Sequence, residues 1–202
     1  MDLAVIALTF GAIFVVELPD KTFIATLVLS TKFRPLLVWI GVGLAFAVQT
    51  LVAVALSKAA SLLPDNVVHV GTAVMFLVGA VILLRTAASA DEDEAESENE
   101  YAAKVSTSAG GVAKAIATSF VVLFAAEWGD LSQLLTLSLV AKYDDPVSVF
   151  IGAWGALLTV SGLAVIVGRV LLNHVKLSVL HYIGGGVCVL MAALTLWELT
   201  TT

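Results

Sequence analysis

Residues 14–33, "FVVELPDKTFIATLVLSTKF", set Glu17, Pro19, Asp20 and Lys21 into a run that is otherwise apolar or small. The arrangement returns at residues 123–143, "LFAAEWGDLSQLLTLSLVAKY". Glu17 falls on Glu127, Asp20 on Asp130, Thr22 on Ser132, Thr26 on Thr136, Lys32 on Lys142 and Phe33 on Tyr143, each pair 110 residues apart. After one inserted residue the register continues, with Pro35 on Pro146, Ile40 on Ile151 and Gly41 on Gly152. Farther on, "HVGTAVMFLVGAVILL" (69–84) matches "YIGGGVCVLMAALTLW" (182–197). The chain reads as an internal duplication.

Composition supplies the setting. Hydrophobic residues make up 60% of the 202 and charged ones only 13%, with a mean hydropathy of +1.04, far too apolar for a soluble domain. A spanning helix needs about 20 mostly apolar residues, and six runs qualify, near 3–30, 36–57, 66–86, 112–140, 147–170 and 178–198. The first and fourth are long enough to tilt strongly or to break midway. Runs such as "VGTAVMFLVGAVILL" are apolar on every face, which excludes the alternating strands of a β-barrel. The expected fold is an all-α integral membrane protein with six transmembrane helices and the lipid bilayer as its main partner. Met1 is followed by Asp2 rather than a basic region, so a retained first helix is expected rather than a cleaved signal. The single cysteine, Cys188, lies in an apolar run and is read as a small core hydrophobe.

The net charge of −6 belongs to one tract. "DEDEAESENE", Asp91 to Glu100, holds seven acids and no base, and without it nine acids face ten bases. With the polar "KVSTSAGG" after it, the tract reads as a disordered spacer. The expected organisation is a first three-helix repeat at 1–87, an acidic linker at 88–110 and a second repeat at 111–202. On the side reached after the first helix lie Lys32, Arg34, Arg85, Lys104, Lys114, Arg169 and Lys176, against Lys58 and Lys142 on the other. By the positive-inside rule the first side is cytoplasmic, which places the linker inside and both termini outside. Three helices per repeat is an odd number, so the second repeat must enter the membrane from the opposite side. Such inverted-topology repeats serve many secondary transporters, and here they would bring the two acidic motifs together.

A charge at the bilayer centre costs from about 3 to more than 10 kcal/mol unless it faces a cavity or a partner. Glu17, Asp20, Glu127 and Asp130 are therefore read as a convergent site for divalent cations. Within each motif the acids are three apart, on one face if the helix runs through. Pro19 and Gly129 favour local unwinding, which would free carbonyls as ligands. Thr22, Ser132 and Gln133 add neutral oxygens. An oxygen-only set suits Mn2+, Ca2+ or Mg2+ rather than zinc or copper. His69, His174 and His181 sit toward helix ends and are read as interfacial. Crowded carboxylates hold protons when no cation is present, so an entering ion displaces protons and protons displace the ion. The same four acids are thus the proton-coupling residues. A structural reading pairs Glu17 with Lys21 at i+4. Leu131 stands at the matching place in the second motif, and one lysine cannot balance four acids.

Trp128 is read as a gate or a packing aromatic, Gln49 as a helix-to-helix hydrogen bonder, and Gly184 to Gly186 as close-packing glycines. No nucleotide-binding loop, Ser/His/Asp set or soluble domain is found, so neither an enzyme, a nucleic-acid binder nor a tightly bound cofactor is expected. A cation channel and a small-solute exporter of the lysine exporter type are the competing function classes. Oligomeric state is open, a homo-oligomer included.

The doubled pattern E-x-G-D-[KR]-[ST], once in each of two three-helix halves around an acidic linker, resembles the GDT-type family of Golgi, thylakoid and bacterial divalent-cation/proton antiporters, uncharacterised protein family 0016. The resemblance implies that Glu17, Asp20, Glu127 and Asp130 bind cation and protons, with Thr22 and Ser132 as accessory ligands. It also implies exchange of Mn2+, or next Ca2+, for protons, and export of the cation across a bacterial plasma membrane. The chain departs from the pattern at Pro19, where the family has Gly, and at Leu131, where it has Lys or Arg. Leu131 is read as leaving the second motif one charge more negative.

Overall fold

The computed structural model describes residues 1–18, 20–60, 64–89, 99–102, 111–174 and 177–201. Its elements are α1 (Leu3–Glu17), α2 (Lys21–Lys32), α3 (Pro35–Ala60), α4 (Asp65–Thr86), α5 (Val112–Ala126), α6 (Leu131–Tyr143), α7 (Pro146–His174) and α8 (Leu177–Thr201). Proline opens α3 and α7, where its missing N–H has no helical partner to lose. The Asp2 carboxylate caps α1 by accepting from the Ala4 N–H at 2.8 Å.

Four helices are long and apolar enough to cross a membrane, and two bent pairs bring the number to six if each pair is one span. The pairs are α1 with α2, bent by 72°, and α5 with α6, bent by 74°. The first and fourth sequence runs therefore break rather than tilt. Large apolar side chains on the outer surface, among them Leu56, Ile82, Leu190 and Trp197, are exposed, as lipid-facing residues are. The chain is a multi-pass membrane protein.

Neighbouring helices run in definite directions. Along α1 and α7, Asp2 meets Ser148 through its N–H at 2.8 Å, and residues 6 to 9 meet Gly152, so these helices are parallel. Along α3 and α5, Gly41 meets Ile116 and Ser119 while Gln49 meets Phe124, so these are parallel too. α4 and α8 are antiparallel, with Gly79 beside Cys188 and Leu84 over Gly185. At Gly41 a Cβ would lie 2.5 Å from the Ile116 carbonyl oxygen and 2.9 Å from the Ser119 Cβ. At Gly152 it would lie 2.6 Å from the Ile6 carbonyl oxygen and 2.9 Å from the Thr9 Cβ. The two contacts use residues 110 or 111 apart on both sides, and only glycine leaves room for either.

Several expectations take a different form. Of the three glycines at 184–186, Gly185 lies under Leu84, while Gly186 has open space around it. Inside the tract read as a disordered spacer, residues 99–102 are helical, and Tyr101 is buried in the main core. An aromatic ring repays burial even in an acidic neighbourhood. Asp91 to Glu98 lie outside the described residues, as does Pro19.

Candidate functional site

Each acidic motif sits at a break between two half-helices. α1 ends at Glu17 and α2 begins after Asp20, whose carboxylate caps it by accepting from the Lys21 N–H at 2.6 Å. α5 ends before Glu127, and Asp130 caps α6 by accepting from the Ser132 N–H at 3.5 Å. Gly129 makes the second break possible, because its φ of 80° lies in the left-handed region that side chains disfavour.

The breaks bring all four acids together. Glu17, Asp20, Glu127 and Asp130 each offer a carboxylate oxygen, and these oxygens lie within 4.8 Å of one another, close enough to hold one ion. Glu17 and Glu127 are fully buried, Asp20 and Asp130 half-buried. The Thr22 hydroxyl donates to Glu17 Oε2 at 3.0 Å. Glu17 Oε1 and both oxygens of Glu127 are buried without a hydrogen-bond partner among the described residues. Acceptors left bare in a protein interior are costly unless a cation or proton meets them. Glu17 and Glu127 also stand at helix C-termini, whose partial negative charge favours a cation at the same spot.

Some sequence expectations fail on this geometry. Glu17 and Asp20 are not on one helical face, because the helix stops between them. The unwound turns do not release the carbonyls of the glutamates: the Glu17 carbonyl accepts from the Asp20 N–H at 3.1 Å, and the Glu127 carbonyl from the Asp130 N–H at 3.2 Å. Lys21 is exposed and forms no ion pair with Glu17 among the described residues, since an interrupted helix has no i,i+4 geometry. Leu131 points away from the acids and packs against Gly79 of α4. Gln133 spends its carbonyl oxygen on the Gly129 N–H at 3.0 Å, so it holds the turn rather than facing the cluster with an oxygen. Trp128 is exposed and its ring tilts onto Phe124 at 5.0 Å, a packing role. Ser132 is buried at the start of α6, as Thr22 is at the start of α2.

Sequence reasoning missed what surrounds Glu127. Gln49 makes the expected helix-to-helix bond, its amide nitrogen donating to the Phe124 carbonyl at 3.1 Å, where it closes an open acceptor at the end of α5. It also lines a narrow pocket with Thr50, Glu127, Ser132, Gln133 and Thr136. Only a polar residue inside an apolar run marked Gln49 in the sequence. Tyr101 adds a phenol from the linker, pushed up to about 12 by burial and then by the charges of Glu127 and Asp20.

Comparison with known proteins gives the chain a family. A sequence model of the family described as "Divalent cation/proton antiporter GDT1" matches residues 5–91 and 115–202. The chain is similar to GDT1-like protein 1, chloroplastic, of Oryza sativa subsp. indica, 30% identical over 215 residues that cover 97% of this chain and 62% of that protein. It is 30% identical over 212 residues to Protein PAM71, chloroplastic, of Arabidopsis thaliana, covering 96% of this chain and 57% of that one. GDT1-like protein sll0615 of Synechocystis is 27% identical over 191 residues, 90% of this chain and 91% of that one. The chain thus spans about three fifths of the plant relatives' length. No solved structure matches it.

Proposed function

The chain belongs to the GDT1 family of divalent cation/proton antiporters, and from that membership we propose that it exchanges a divalent cation for protons across a membrane through Glu17, Asp20, Glu127 and Asp130. The observation that carries the proposal is the meeting of four carboxylate oxygens within 4.8 Å, two of the acids being fully buried. In a medium of low permittivity four such groups need compensating charge, which a divalent ion or protons supply in alternation. Every ligand is a hard oxygen, which suits Mn2+, Ca2+ and Mg2+ alike; Mn2+ is the proposed cargo, with Ca2+ next, because that is the order the family resemblance implies. The hydroxyls of Thr22 and Ser132 complete the set. Transport rather than catalysis is the proposed role because the family is one of antiporters.

The proposed architecture is two inverted-topology repeats, 1–87 and 111–202, joined by a cytoplasmic linker, with both termini outside and the cation exported. Its support is the matched pair of contacts, Gly41 on α5 and Gly152 on α1, together with the parallel runs of α1 with α7 and of α3 with α5. A two-fold axis in the membrane plane relates such pairs and places the broken helices at its centre.

Reconstitution tests the function. Proteoliposomes with an internal pH dye should move protons when an Mn2+ gradient is imposed, and a proton gradient should drive Mn2+ uphill. Cation flux that ignores the proton gradient would mean a channel instead. The same vesicles run with Ca2+ and Mg2+ rank the cargo.

A further inference from the structure

The pocket beside Glu127 offers a defined set of bare polar atoms. Glu127 is 2% exposed, and both of its oxygens lack a hydrogen-bond partner among the described residues. Gln133 Nε2 is likewise buried without a partner. Both side chains line the same pocket, which has room for about one water-sized occupant. One N–H of the Gln49 amide is held by the Phe124 carbonyl, which leaves its oxygen and its second N–H to offer.

Donors and acceptors together around a space of that size, the bare Gln133 N–H and the bare Glu127 oxygens among them, suit the hydrogen bonds of a single water. A bare cation fits worse, because the Gln133 N–H groups would oppose it. Glu127 belongs both to this pocket and to the carboxylate cluster, so a molecule in the pocket adjoins the cation site directly. Resting on the antiporter reading above, we propose that the pocket of Gln49, Thr50, Gln133 and Thr136 seats one water ligand of the transported divalent cation. The ion then keeps part of its hydration shell while the carboxylates take the rest, which lowers the cost of dehydration for a strongly hydrated ion. In the other half of the chain Phe23 and Val160 stand where Gln133 and Gln49 stand here, and they offer no such seat.

The experiment counts water on bound Mn2+. Full-length protein in lipid nanodiscs is loaded with Mn2+ alone in D2O, and electron spin echo modulation reports the exchangeable waters on the metal. Thr50→Leu fills the pocket without touching the Gln49 bond to α5. It should remove one water from the count and raise the Mn2+ Kd about tenfold. Gln49→Met, which strips the polar wall at similar volume, should remove the same water, and it carries the test if Thr50→Leu does not fold. A water count equal to wild type in the folded variant overturns the proposal, whatever the affinity. Failure of the antiporter reading looks different: wild type then binds no Mn2+, or Glu17→Gln binds it equally well.

Discussion

On the second-motif side of the four carboxylates the wall is Gln133, Gln49 and Thr50; on the first-motif side the equivalent positions are Phe23, Val160 and Ser161. Phe23, Val160 and Ala164 are buried together, with Phe14, Leu18 and Leu163 packed against them. Beyond that apolar cluster, with Ala164 shared, a groove of about 340 Å³ runs past Leu27, Ser30 and Thr31. Polar contacts differ in the same sense. The Thr136 hydroxyl donates to the Ser132 carbonyl at 2.7 Å, while its counterpart Thr26 is buried with a hydroxyl that has no partner among the described residues. The two motifs thus present the same charges beside walls that differ in polarity at two of three positions, Gln133 against Phe23 and Gln49 against Val160. A polar wall holds water against a carboxylate; an apolar one keeps it out. Equal motifs therefore stand in unequal surroundings, and at the first a buried phenyl ring, that of Phe23, belongs to the wall.

The largest loss is expected from removing the charges that the halves share. Glu17→Gln and Asp130→Asn should each bring Mn2+/H+ exchange in proteoliposomes down to the level of empty vesicles. Melting temperature should hold or rise, because fewer buried like charges repel. Retained exchange in either variant contradicts equal use of both motifs.

Truncating Phe23 comes next in size. Phe23→Ala should destabilise by about 3–5 kcal/mol, as for other buried aromatics cut to alanine. It should also let protons leak without Mn2+, seen as decay of an imposed pH gradient. A tight, stable Phe23→Ala would mean that the apolar cluster seals nothing.

Gly41→Leu and Gly152→Leu probe a contact that the two halves have in common. Each forces a side chain into backbone 2.5 to 2.6 Å away, so both should cost about 1–3 kcal/mol or more, by similar amounts. A large cost at one glycine alone, read from thermal melts in the same detergent, would show that the paired contacts are not equivalent.

The smallest effect is expected at Leu131→Lys. Because Leu131 faces Gly79 rather than the acids, the apparent Mn2+ affinity should change by less than about threefold, or ~0.6 kcal/mol. A larger change, titrated by Mn2+ uptake at fixed pH, would place the new ammonium among the carboxylates after all.

Sequence by itself determined the membrane setting, the doubled motif and the identity of the four acids. Composition reports burial in lipid directly, and an acid inside an apolar run has few innocent explanations. It also marked both breaks, through Pro19 and Gly129. Where each side chain points was a different matter. Helical spacing placed Glu17 with Lys21 and put Leu131 beside the site, but spacing holds only while the helix continues, and at each motif it stops. Gln133 looked like an oxygen ligand and became a brace for the turn, because the nearest unpaired N–H, that of Gly129, belongs to its own loop. Gln49 and Thr50 lie far from Gln133 in the chain, as Phe23 lies far from Val160, and they become walls beside the motifs only when α3 and α7 pack against the broken helices. Local chemistry fixed the charges. Long-range packing decided which of them meet water.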